Sequence, residues 1–165
     1  QREEGDPAAG GLVYCRMCRR SFSAIIALVA AAVASGPFGA LEFRSIADEL
    51  GILYDTPSKD SAKRLILTKG YPVEVIIASE GWVRVRDDNG TFAWIEAGRL
   101  AAKRTVLVSV PAAEARDAPD QSARPVFKVE KGVVLELVGV SGGWAKVRHR
   151  SGTVAFIRLG DLWGV

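Results

Sequence analysis

The chain writes one sentence twice. Ser79–Ile95 reads SEGWVRVRDDNGTFAWI, and Ser141–Ile157 reads SGGWAKVRHRSGTVAFI. Gly-Trp, Val-Arg and Gly-Thr recur at a constant separation of 62 residues. The same offset carries Asp55 to Asp117, Pro57 to Pro119, Gly70 to Gly132, Glu74 to Glu136 and Leu100 to Leu162, with no gap. A fixed offset over so long a span marks a duplicated unit. Two copies make two small domains in tandem, and the 165 residues have room for little else.

Each unit reads as short strands between turn signals. Tyr71–Ala78 and Val133–Val140 are rich in β-branched residues, with Val73, Val75 and Ile77 alternating against Glu74 and Ile76 as in a half-buried strand. Trp82–Arg86 and Trp144–Arg148 alternate apolar and basic residues. Asn89-Gly90 and Ser151-Gly152 mark tight hairpins, because such turns demand positive φ. Thr91–Ile95 and Thr153–Ile157 return. EAGRL and RLGDL suit a short 3₁₀ turn before a last strand. Ser58–Leu67 reads as a long loop plus a strand. The fold class is therefore all-β: two tandem small barrels that close their own edges, over residues 41–103 and 104–165.

Ahead of them, Arg16, Arg19 and Arg20 precede an apolar run from Ser21 to Ala34, broken by Gly36, Pro37 and Gly39. That is the layout of a secretory signal peptide, and the run is shorter than the roughly 20 residues of a membrane span. The reading is a signal peptide over residues 17–40, beginning at the sole Met17, with an uncleaved inner-membrane anchor as the alternative. Residues 1–16 then read as a non-native or upstream leader. Cys15 and Cys18 form C-x-x-C without a strand–helix context or a second ligand pair, so neither redox nor zinc chemistry is expected. The expected location is periplasmic or secreted.

The stretch YDTPSKDSAKRLILTKGYPVEVIIASEGWVRVRDDNGTFAWI, repeated as RDAP, EKG, GGWAKV, SGTVAFI and GDL, resembles the bacterial SH3-like domain family. The resemblance runs from about Arg44 to the C-terminus and implies SH3-like barrels that bind peptides, glycans or cell-wall polymer, or that target an enzyme. GILYDTPS also resembles the Ala-Leu-Tyr-Asp-Tyr stretch of signalling SH3 domains, but Thr56 replaces the second aromatic, so binding of Pro-rich peptides does not carry over.

The candidate ligand-binding residues follow from the two copies. Trp82 and Trp144 occupy equivalent positions and admit two readings, a stacking platform or a structural cover over one barrel end. Neighbouring strand residues face opposite ways, so if Ile95 and Ile157 are core, Trp94 and Phe156 face outward. Tyr54 and Tyr71 have Arg116 and Val133 as counterparts, so a groove they helped to form would exist in the first copy alone. Charge diverges too. Leu41–Lys103 carries nine basic and ten acidic residues, Arg104–Val165 nine basic and six acidic. Lys146, Arg148 and Arg150, with Arg158 nearby, outline a basic face where the first copy has Asp87 and Asp88 at the turn.

The net charge of +3 is too small to argue for nucleic acid without a localised patch. The lone His149 has no metal-ligating partners and no placed nucleophile, so no cofactor, metal or catalytic residue is expected. The functional expectation is a non-catalytic binding module. Its partner would be peptidoglycan or another envelope polymer, or an envelope protein or peptide, with membrane contact only through an uncleaved anchor. The alternatives are a structural subunit of an envelope complex or a targeting module for a separate cell-wall hydrolase. The connector Ala101–Thr105, AAKRT, lacks Gly, Pro and Ser, which argues for a stiff junction.

Overall fold

The structure, a computed structural model, describes residues 41–165. The leader, signal peptide and C-x-x-C readings fall outside the described residues. The first sheet contains β1 (Glu42–Ile46), β2 (Leu50–Tyr54), β3 (Lys63–Thr68), β4 (Pro72–Ser79), β5 (Trp82–Arg86), β6 (Phe92–Glu96) and β7 (Leu100–Ala101). The second contains β8 (Thr105–Val108), β9 (Ala112–Arg116), β10 (Pro125–Glu130), β11 (Val134–Ser141), β12 (Trp144–Arg148), β13 (Val154–Arg158) and β14 (Leu162–Trp163). Their strand orders are β3-β2-β6-β5-β4-β1-β7 and β10-β9-β13-β12-β11-β8-β14, so one topology is built twice. The expected 3₁₀ turns occur at Ala97–Arg99 and Leu159–Asp161. The architecture is all-β, in two SH3-like copies.

Each copy encloses its own core. Val83, Val85, Ala93 and Ile95 point inward in the first, and Ala145, Val147, Ala155 and Ile157 in the second. Ile95 and Ile157 are both fully buried, and Trp94 and Phe156 lie on the opposite, outward face. The alternation expected along β4 stops halfway. Val75 pairs with Val85 and Ile77 with Arg84, so Ile76 is an extra residue without a partner. This bulge shifts the phase of the strand. Ile77, which simple alternation places inward, is 53% exposed, while Glu74 is 4% exposed. Arg86 holds Glu74 at 2.5 Å, so the buried carboxylate is paired. The second copy bulges at the equivalent place, Val138.

Both copies belong to one compact unit and meet along a seam. Thr105 Oγ1 donates to the Gly70 carbonyl at 2.7 Å, and Ser45 Oγ to that of Lys103 at 2.8 Å. The Phe43 ring meets Trp163 edge-on, with centroids 5.2 Å apart. Arg104 lies over the same Phe43 ring at 5.8 Å and donates to the Gly164 carbonyl at 3.2 Å. The connector is thus fastened to both copies.

Candidate ligand-binding surfaces

Period-2 alternation sends one residue in two of β2, β3, β5 and β6 outward, and the sheet order lays these residues side by side. Tyr54 pairs with Trp94, which pairs with Arg84 on the other side. Trp82 sits edge-on to Tyr54, with centroids 5.5 Å apart and planes at 88°. Tyr54 itself is buried, supporting half-buried Trp82 from below. Beside Trp94 lies a hollow of about 510 Å³ lined by Asp55, Arg64, Arg84 and Phe92. Arg84 lies over the Phe92 ring at 5.0 Å, and Arg64 holds Asp55 at 2.5 Å on the rim. Of the aromatic candidates in this copy, Tyr54, Trp82 and Trp94 come together.

Tyr71 does not join them. It packs against the core, and its hydroxyl donates to Asp88. Burial first, and then the adjacent Asp88 carboxylate, push its phenol above the ordinary range. Asp87 is buried in the same turn. Its Oδ1 accepts the backbone N–H groups of Asn89 at 3.0 Å and Thr91 at 2.6 Å. His149 stands at the equivalent position, with Nδ1 accepting from the Ser151 N–H at 3.3 Å. Both side chains close a hairpin turn.

The alternation also exposes residues that the motif reading passed over. Leu50, Ile66 and Phe92 are all exposed on the outward face of the first copy, and Ile66 pairs with Ile52 across the strands. The 62-residue offset was the available signal: it turns Ile52 into Glu114, Ile66 into Lys128 and Tyr54 into Arg116. In the second copy the Ile–Ile pair becomes a Lys128–Glu114 ion pair at 3.4 Å, and Arg116 holds Glu114 at 2.8 Å. Trp144 and Phe156 remain, but Arg158 lies over Trp144 and Lys146 over Phe156, each at 6.0 Å. The expected basic face divides. Lys146 stays with Phe156, whereas Arg148 and Arg150 line a cleft between the copies. Among the described residues no group of three or more His, Cys, Asp or Glu side chains is placed to hold a metal ion. No helix of the described residues is long and apolar enough to cross a membrane.

The two-fold reuse of one seven-strand topology, with Gly-Trp opening β5 and β12, matches a known family. The family model of the bacterial SH3 domain matches twice, at residues 47–101 and 109–164. This chain belongs to the bacterial SH3 domain family. No curated protein matches it. Among solved structures it is similar to NlpC2 from Trichomonas vaginalis, at 18% identity and TM-score 0.36, over 75% of this bacterial SH3 chain and 48% of that one. NlpC1 from the same organism gives 18% and 0.36, over 78% and 48%. An NlpC/P60 family protein from Bacillus cereus gives 15% and 0.35, over 74% and 56%. The chain thus spans about half the length of these proteins.

Proposed function

We propose that this tandem bacterial SH3 protein is a non-catalytic binding module of the cell envelope, and that the outward face of its first copy contacts cell-wall polymer. One observation carries the reading. Around the retained aromatics, Ile52, Ile66 and Tyr54 of the first copy give way in the second to Glu114, Lys128 and Arg116, which pair with one another. A shared fold does not require that difference, because Ile52 and Ile66 point away from the core just as Glu114 and Lys128 do. Exposed apolar area rimmed by polar groups marks a contact surface. Here Trp94 and Phe92 supply ring faces, and Arg84, Asp55 and Arg64 supply hydrogen-bonding partners around a hollow of about 510 Å³. Bacterial SH3 domains commonly bind cell wall, which supports the polymer as partner and the envelope as location. A role as targeting module for a separate hydrolase is compatible with the same face.

A second reading, a structural subunit of an envelope complex, is favoured by the seam that fastens both copies to the connector. Retention of the full chain on purified sacculi, against capture of proteins from a periplasmic extract, separates the two. The polymer reading expects retention on sacculi that Trp94→Ala lowers about tenfold, since losing a contacting aromatic typically removes 1 kcal/mol or more. Unchanged retention of Trp94→Ala, in a variant that remains folded, would remove the outward face as the contact site.

A further inference from the structure

A cleft of about 440 Å³ lies between the two copies. The Lys69-Gly70 turn before β4 forms one wall, and Arg148, His149 and Arg150 form the other. Lys103 enters from the connector. Ile46, Ala101 and Val134 contribute to a mainly apolar floor. The walls come from different copies, so neither copy contains the site alone.

Cations outnumber carboxylates here. Lys69 has Glu49 at 2.8 Å on the outer side. Lys103 and Arg148 share one carboxylate, Glu136, at 3.0 and 3.3 Å. The hydrogen bond from Lys103 holds the Glu136 carboxyl below its usual range, so it is an anion at neutral pH. Arg150 has no carboxylate within 4.0 Å among the described residues. The repeat explains why. Its counterpart Asp88 accepts from Tyr71, and Val133 stands where Tyr71 would be, so the second copy lost that hydrogen bond and reversed the charge. The hydroxyls of Ser45 and Thr105 also line the cleft, but both donate to backbone carbonyls. The side-chain donors left for a ligand are those of the cations and the Nε2–H of His149, whose Nδ1 accepts from Ser151.

We propose that this cleft binds the free carboxylate of a short extended peptide with small apolar side chains. Arg150 takes the carboxylate in its planar fork, a geometry suited to bidentate contact, and Lys103 and Lys69 add positive charge from the connector and the first copy. The small side chains lie on the apolar floor. A phosphate polymer fits less well, because its further charges would meet that floor. The inference does not depend on the aromatic face or on cell-wall polymer.

The test is calorimetric titration of the full chain with N-acetyl-trialanine as the free acid, as its C-terminal amide, and with inorganic phosphate alone. The acid is expected to bind in a salt-sensitive manner and the amide at least about tenfold more weakly, the cost of one charge-assisted hydrogen bond. Arg150→Gln, in an exposed turn, and Lys69→Gln should each weaken the acid several-fold. Lys146→Gln, on the outward face, should leave it unchanged. Circular dichroism checks that each variant is folded. Any of these results would overturn the proposal: no binding of the acid up to roughly 10 mM; an amide that binds as tightly; phosphate alone that binds more tightly than the peptide; or an effect of Lys146→Gln equal to that of Arg150→Gln. An inert Lys69→Gln would also overturn it, by placing the site on the second copy alone.

Discussion

A single methyl group shows how the two cores diverged together. Gly51 faces the interior of the first copy, and a Cβ added there would lie 2.8 Å from Ile46 Cγ2 and 3.0 Å from its Cδ1. Ile46 is fully buried, so it has little room to yield. The offset maps Gly51 to Ala113 and Ile46 to Val108, so the second copy places the extra methyl on one partner and removes it from the other. Interiors are packed tightly enough to require such compensation. Gly51→Ala alone is expected to destabilise by about 1–3 kcal/mol, the range for overpacking. Ile46→Val alone should cost about 0.5–1.5 kcal/mol. The double variant should cost clearly less than the sum of the two, with a coupling of roughly 1 kcal/mol in a denaturant-unfolding cycle. Strict additivity would show that the two positions do not compensate.

At the scale of the element, the hairpin after β5 depends on one buried acid. Asp87 Oδ1 accepts two backbone N–H groups that otherwise have no acceptor in the turn. Removing it strands donors in a half-buried place, which costs more than the bond itself contributes. Asp87→Ala should therefore destabilise by about 1–3 kcal/mol. His149→Ala removes two exposed contacts to Ser151, with its N–H at 3.3 Å and its hydroxyl at 2.9 Å, which water can replace, and should have less effect. Urea unfolding of the two variants compares them directly, and equal losses would contradict the assignment. The turn also positions Asp88, which anchors Tyr71, so a loosened Asp87 turn should bring the Tyr71 titration back toward the ordinary phenol range.

The whole molecule is held as a pair by the seam. Gly164 sits there with φ +100°, and an added Cβ would lie 3.1 Å from both Pro72 Cβ and the Thr105 carbonyl oxygen. That backbone conformation disfavours any L side chain, and the neighbouring carbonyl cannot move aside without disturbing the Thr105 strand. Scanning calorimetry of the parent chain should show one transition, because the shared contacts couple the copies. Gly164→Ala should lower the stability of the pair by about 1–3 kcal/mol through backbone strain and split or broaden that transition. An unchanged single transition would mean that the seam carries little of the coupling.

The offset of 62 residues, the β-branched runs and the Gly-containing turns were sufficient to read two SH3-like copies and the inward position of Ile95 and Ile157. Those features are local: a strand's two faces and a turn's φ are set within a few residues. The bulge at Ile76 was not legible, because only pairing against β5 reveals a residue without a partner. Nor was the separation of Tyr71 from Tyr54. Both are aromatic residues unique to the first copy, but register places Tyr54 beside Trp94 and loop packing turns Tyr71 toward Asp88. Lys146, Arg148 and Arg150 looked like one basic stretch, and tertiary structure assigned them to different surfaces. The cleft itself exists only because two copies meet. No local pattern specifies which turn of one barrel faces which turn of the other, since that is decided by side chains brought together across the seam.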